Sequence, residues 1–334
     1  MDLLSLIKSE DLVSFASNYE YKKNFMGQKL FAPAKTSDLK LKIRQIMEGA
    51  DMPVMARVHS LDSEAHIGDR PNFEELNLEK MFIKEKINQT ERIAMFLNNN
   101  PSNDAVVNFV YDDLNNMMSR VITRTEVANM ELLGTGKITV DENNVKYTVD
   151  YKHPESQKVT LSGWASADHD IIGDLKTITL NAKKNGVTLV RAITSATILG
   201  YMLNNNGIAK IWEAKSDVLT ETRLTSWLKE TFGIEFVTND EYYKTSANST
   251  QTYRFFPENV ITFLPTKTLL GQGLYGVTPE ELKLKINAEV SEKMNVALSM
   301  WDTQDPVATW TKASALYIPV PNNVKSWFIA TVNA

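Results

Sequence analysis

Between Asn103 and Gly134, apolar residues recur at spacings of three, four or seven: Val107, Val110, Leu114, Met117, Val121, Ala128 and Leu132. This spacing draws one stripe along a helix whose other side carries Asp112, Asp113, Asn116, Arg120 and Arg124. Pro101 and Ser102 punctuate its start, and Gly134 and Gly136 stop it. About 30 residues at ~1.5 Å each predict a rod of about 45 Å, long for a globular helix. Leu, Ile and Val pairs at strict heptad positions are too few to favour a coiled coil.

The preceding 87 residues are poor in anything that could close a core. Their apolar residues are scattered, and one helix is predicted, near Ser37 to Gly49. Pro53 to Leu61 and Leu76 to Ile87 read as extended segments around a polar tip, Asp62 to Asn72, which contains the turn-forming run Gly68, Asp69, Arg70, Pro71, Asn72. A two-stranded ribbon is marginally stable alone in water, so this one is expected to lie against another surface, in the same chain or in a neighbour.

After the long helix, Lys137 to Tyr151 reads as a hairpin, with Val140 and Val145 flanking the turn residues Asp141 to Asn144. Helices are predicted at Ile171 to Lys184, at Ala196 to Asn205 and at Glu221 to Thr231, each followed closely by glycine (Gly186, Gly207, Gly233). Strands are predicted at Val187 to Ile193, Ile234 to Val237 and Val260 to Leu264. Few strands with irregular connections predict an α+β fold rather than a doubly wound sheet.

Composition removes several function classes. A chain of 334 residues, 43% of them apolar, can bury a real core. Its apolar runs fall well short of the ~20 residues needed to cross a bilayer. The first 15 residues lack the basic start and cleavage site of a secretory signal, so the chain is expected to begin its life in the cytoplasm. The absence of cysteine excludes disulfides, thiolate metal sites and cysteine nucleophiles. Four histidines, His59, His66, His153 and His169, lack the spacing that puts metal ligands on one helical face. A net charge of -5 without a basic run argues against gripping nucleic acid through a cationic surface.

Two motifs could carry chemistry. Gly271, Gly273 and Gly276 spell GxGxxG ahead of Thr278, Pro279, Glu280 and Glu281, a good helix start. A dinucleotide site would need the glycines to join strand directly to helix and a ribose-binding acid on a second strand; neither is present, so a flexible capped glycine loop is expected. Asp168, His169 and Asp170, with Asp174 nearby, could hold a metal in a hydrolase, but partner histidines are missing and helix capping explains the acids as well. Near the C-terminus, Trp301 to Pro321 reads as an aromatic-rich β segment, which Pro319 and Pro321 confine to an edge or an irregular ladder, followed by a last strand from Trp327 to Val332.

Three stretches together resemble the lambda-type family of major capsid proteins of tailed bacteriophages, which has the Hong Kong 97 fold. They are WDTQDPVATWTKASALYIPVPNN with the closing SWFIATV, FLPTKTLLGQGLYGVTPEEL, and GDRPNFEELNLEKMFIKEKI followed by the long helix. With the order of the elements between them, the resemblance covers nearly the whole chain. It implies an N-terminal arm (1–35), an extended-loop region (36–87), a peripheral domain with a spine helix (88–167), an axial domain (168–296) and a return to the peripheral domain (297–334). Arms and loops that find apolar partners on neighbouring copies need no private core.

The resemblance further implies a shell subunit with no catalytic site and no cofactor. Pentamers and hexamers would form an icosahedral head that encloses double-stranded DNA in the virion, assembled in the host cytoplasm. Separate scaffolding and portal proteins, and in the family often decoration proteins, would take part; a scaffold separate from this chain, unlike the fused segment of some relatives, is expected. Arg70, Lys80, Lys84 and Glu85 are expected to make charged contacts with a neighbour, a solvated face being the competing reading. No lysine–asparagine crosslink of the kind some relatives form is expected. The competing functions are an encapsulin-like compartment shell around a cargo enzyme and, from a different class, a metal-dependent hydrolase.

Overall fold

The computed structural model describes residues 7–19, 23–46, 55–61, 64, 67, 73–89, 103–213, 218–284, 294–305 and 307–333. Where apolar residues recur at the helical period, they close into α1 (Ser9–Ser17), α2 (Met26–Leu30), α3 (Asn103–Thr135), α4 (Ile171–Lys184), α5 (Ala196–Leu203), α6 (Asn206–Glu213), α7 (Glu221–Phe232) and α8 (Pro279–Lys283). The strands are β1 (Phe31–Thr36), β2 (Lys40–Ile46), β3 (Phe73–Glu79), β4 (Met81–Gln89), β5 (Lys137–Glu142), β6 (Val145–Asp150), β7 (Lys158–Ser162) and β8 (Arg191–Thr194). They continue with β9 (Glu235–Thr238), β10 (Tyr242–Tyr243), β11 (Tyr253–Arg254), β12 (Val260–Leu264), β13 (Gly271–Gly276), β14 (Ala297–Gln304), β15 (Val307–Pro321) and β16 (Phe328–Asn333). The fold is α+β, and its contacts divide into two units.

The first unit comprises Met1–Leu41, Leu78–Asn129 and Gly271–Pro321. Its sheet runs β1-β13-β15-β14, with β4 also paired to β15. Strand β15 has β4 along one edge, from Thr309 to Tyr317, and along the other first β14 and then β13. Pro319 and Pro321 lie past Tyr317, the last partner of β4, so they sit where that ladder has already ended, as residues without an N–H should. In α3, Val110, Leu114, Met117 and Val121 are buried as the stripe requires. Further along, Glu126 is buried too, and its carboxylate accepts from Gly27 N at 2.7 Å and Gln28 N at 3.1 Å, satisfying the free amides at the start of α2. Tyr317 Oη donates to Asn129 Oδ1 at 2.6 Å.

The second unit comprises Lys42–Asn77, Met130–Leu270 and Asn322–Ala334. Its sheet runs β7-β16-β12-β8-β9, parallel at both outer pairs and antiparallel between. Trp164, Leu175, Ile198, Leu228, Phe236 and Phe263 belong to the core that α4 to α7 close over this sheet. Local chemistry sets the ends: Asp170, Ser195 and Thr220 cap α4, α5 and α7, and Gly233, with φ 75°, closes α7 in the left-handed conformation. The β5–β6 hairpin turns on Asn143 and Asn144, with φ of 49° and 63°, as a two-residue turn requires.

Several expectations need correction. Ser37 to Gly49 is not a helix: Lys40–Ile46 is β2, in which Leu41 and Ile43 alternate with Lys40 and Lys42, and pairing with β3 selects the two-residue period. The glycine run is not a flexible loop but strand β13, paired parallel to β1 and antiparallel to β15. Glycine is needed there because the sheet closes tightly: a Cβ on Gly271 would stand 2.2 Å from Val320 O, and one on Gly276 2.7 Å from Leu316 Cβ. Strand β8 begins at Arg191, not Val187; Val187 and Leu189 are buried ahead of the ladder. Residues 55–60 form no strand. Helix α6 is not expected from the sequence, in which Gly207 reads as a stop, whereas Asn205 Oδ1 accepts from Ile208 N at 3.1 Å and starts a new helix. Helices α1 and α2 were likewise missed in a segment with scattered apolar residues.

Candidate assembly surfaces

The residues with chemical promise are occupied structurally. Asp170 caps α4 by accepting from Gly173 N at 2.9 Å. Asp174 Oδ2 accepts from Trp164 Nε1 at 2.7 Å and lies 2.8 Å from His169 Nε2. Asp168 Oδ1 accepts from Asn206 Nδ2 at 2.8 Å. These bonds join the connection before α4 to the starts of α4 and α6, and among the described residues no group of acids and histidines has the arrangement of a metal site. His153 is buried, its Nε2 3.1 Å from Trp327 O, and burial pulls its pKa down to about 4.

Of the charged residues expected at an interface, Arg70 lies outside the described residues. Lys80 is buried within the first unit, its amine donating to Thr36 O at 2.9 Å and Tyr275 O at 3.3 Å, and burial lowers its pKa to about 8. The charge of Glu85 is met by Arg120 Nη1 at 2.5 Å. Lys84 is exposed, its ammonium over the Phe82 ring at 4.5 Å. The structure therefore separates the set: Lys80 and Glu85 are engaged within the subunit, and Lys84 faces outward.

Two uncovered apolar surfaces stand out. In the segment after β2, Met55 is 88% exposed, Val58 98%, Leu61 95% and Ile67 86%. Four large apolar side chains so exposed within one segment are unusual for a protein surface. On the sheet of the first unit, Trp301 and Trp310 face each other across the β14–β15 register and stack at 6.4 Å, with Lys86 Nζ 4.5 Å from the Trp310 ring. Sequence reasoning missed this band; the alternation of Phe82, Lys84, Lys86 and Asn88 along one face of β4 was the available signal.

The chain is thus a two-unit α+β fold with a 33-residue helix, a long strand that ends in prolines and a segment of exposed apolar residues. The chain belongs to the family described as phage major capsid protein E, whose profile matches residues 16–332. Its fold is similar to that of a prophage protein of E. coli CFT073 described as a capsid protein, at 13% identity and TM-score 0.65 over 98% of this chain and 99% of that one. It is also similar to a phage-related protein of Bordetella bronchiseptica RB50, at 14% identity and TM-score 0.54 over 96% and 95%. The mature capsid of bacteriophage PhiM1 gives 8% identity and TM-score 0.49 over 94% and 89%. Among curated proteins there is no match. The chain is thus a phage major capsid protein, a structural component of the virion.

Proposed function

We propose that copies of this chain associate as pentamers and hexamers, which close into an icosahedral head around double-stranded DNA. The observation that carries the reading is the exposure of Met55, Val58, Leu61 and Ile67. Covering one such side chain contributes about 1.5–3 kcal/mol, and a shell repeats the contact at every copy, so individually modest interfaces add up. In this reading residues 1–35 are the N-terminal arm, 36–87 the extended-loop region, 88–167 with 297–334 the peripheral domain and 168–296 the axial domain. Arg70 and Lys84 offer charge to the neighbouring copy.

The shell holds DNA without gripping it, in keeping with a net charge of -5. Assembly takes place in the host cytoplasm with separate scaffolding and portal proteins. The subunit does no catalysis and forms no lysine–asparagine crosslink. Electron microscopy of the protein expressed with and without the neighbouring phage genes tests the reading: closed particles, filled with DNA in the phage setting, are expected. A monomer under all conditions refutes it, and particles that enclose a co-purifying enzyme instead of DNA replace it with an encapsulin-like compartment.

A further inference from the structure

We propose that Glu74 is the latch that sets the direction in which the extended loop leaves the subunit, and so decides whether that loop reaches a neighbouring copy. The inference rests on the shell-forming reading above. In β3, Glu74, Leu76 and Leu78 share one face by the two-residue period of a strand. Leu76 and Leu78 are buried, while Glu75, Asn77 and Glu79 on the opposite face are exposed. Glu74 is the outermost member of the inward row; farther out toward the loop tip, the described residues 55–61, 64 and 67 are all exposed.

The carboxylate of Glu74 is divided between two lysines. Its Oε1 accepts from Lys152 Nζ at 2.8 Å and its Oε2 from Lys325 Nζ at 3.1 Å. The two amines come from different connections of the same unit, one just after β6 and the other in the short 3-10 turn before β16. Each is presented from a held backbone. Lys152 N donates to Asp150 Oδ1 at 2.8 Å; Lys325 N donates to Asn323 Oδ1 at 2.9 Å, and its carbonyl accepts from Gln157 Nε2 at 2.7 Å. Two bonds to separate fixed points define a direction, where one would define only a distance.

Two further observations point the same way. Lys152 has φ 52°, a left-handed conformation that a side chain disfavours and glycine or asparagine adopts more readily, and its amine is the one that meets Glu74. The Lys325 side chain is only 8% exposed, and among the described residues Glu74 is the only carboxylate within 4 Å of its amine. Hydrogen bonds from Lys152 and Lys325 hold the Glu74 carboxyl below the usual carboxylate range, so the latch is charged at neutral pH. A two-stranded ribbon is marginally stable by itself, so holding the outer end of β3 matters for where the loop beyond it goes.

The test compares wild type, Glu74→Asp, Glu74→Ala and Glu74→Ala/Lys325→Met for particle yield by sedimentation, for melting of the subunit, and for amide exchange in residues 73–79. Glu74→Ala strands a mostly buried ammonium and lowers the melting temperature; adding Lys325→Met removes that charge and restores it. The latch predicts that the double variant, although as heat-stable as wild type, exchanges faster in β3 and yields about tenfold fewer particles, one decade of equilibrium constant. Glu74→Asp, which keeps the charge, recovers part of the yield. A double variant that assembles like wild type overturns the latch. A wild type that forms no particle in any setting overturns the shell reading itself, and the latch with it.

Discussion

Phe263 and Val58 are both large apolar residues of one chain, yet Phe263 is 0% exposed and Val58 98%. Around Phe263 the chain supplies everything an apolar ring needs: β8 and β16 as hydrogen-bonded neighbours of β12, the Phe236 ring edge-on at 6.2 Å, and the helices that close the core. Val58 is covered by none of the described residues, and Met55 and Leu61, close by in sequence, are in the same condition. The contrast teaches that this chain is finished as a fold but not as a surface. One region is completed by the described residues of the molecule; the other is not.

The sharpest way to break that contrast is to remove the unfinished region. Deleting Asp62 to Asn72 is expected to leave a folded subunit that forms no shells; normal particles in a sedimentation run would show that the region has no partner to meet. Phe263→Ala attacks the finished side, and urea unfolding should report a loss of about 3–5 kcal/mol, as for other buried aromatics. A loss below about 1 kcal/mol would mean that the core is looser than its burial implies.

Acid probes the finished side more gently. His153 has a folded pKa of about 4, below its ordinary value near 6.5, so the unfolded chain binds the extra proton first. Its contribution is therefore complete above about pH 6.5 and is lost as pH falls toward 4, by about 3 kcal/mol in all. His153→Gln should show a correspondingly shallower decline in unfolding free energy between pH 7 and pH 4.5; equal slopes would contradict the burial of that ring. The smallest effect on the fold is expected from Val58→Ser. Subunit stability should change by no more than about 0.5 kcal/mol while particle yield falls, and the reverse pattern would place Val58 in the subunit's own core.

How much was legible beforehand follows the same division. The stripe from Val110 to Leu132 announced α3 because its buried face repeats at the helical period, and the turn residues Asp141 to Asn144 announced a hairpin whose turn the structure narrows to Asn143–Asn144, both left-handed. The weakness of 1–87 as a core was overdrawn: Leu12, Phe25, Leu30, Phe31, Leu76 and Leu78 are buried within the chain, whereas the stretch around Met55, Val58 and Leu61 is exposed. Less legible were features set by long-range partners. Nothing local in Lys40–Ile46 discloses that β3 pairs with it, and nothing in a GxGxxG run tells a phosphate cradle from a strand squeezed between β1 and β15. Of the charged interface set, exposure of Lys84 could be read from its strand, whereas burial of Lys80 depends on two carbonyls distant in sequence.

Sequence alone therefore determined the long helix, the α+β class, the exclusion of thiol chemistry and, through ordered stretches of resemblance, the capsid family. These depend on periodicity and residue type, which are properties of neighbours along the chain. The tertiary structure decided that the glycines serve close strand packing, that Lys80 turns inward, that two tryptophans nine positions apart stack, and that Glu74 is held by two lysines from remote turns. Those outcomes depend on which distant groups come within a few ångströms, and burial, pairing and pKa are set by that proximity rather than by position in the chain.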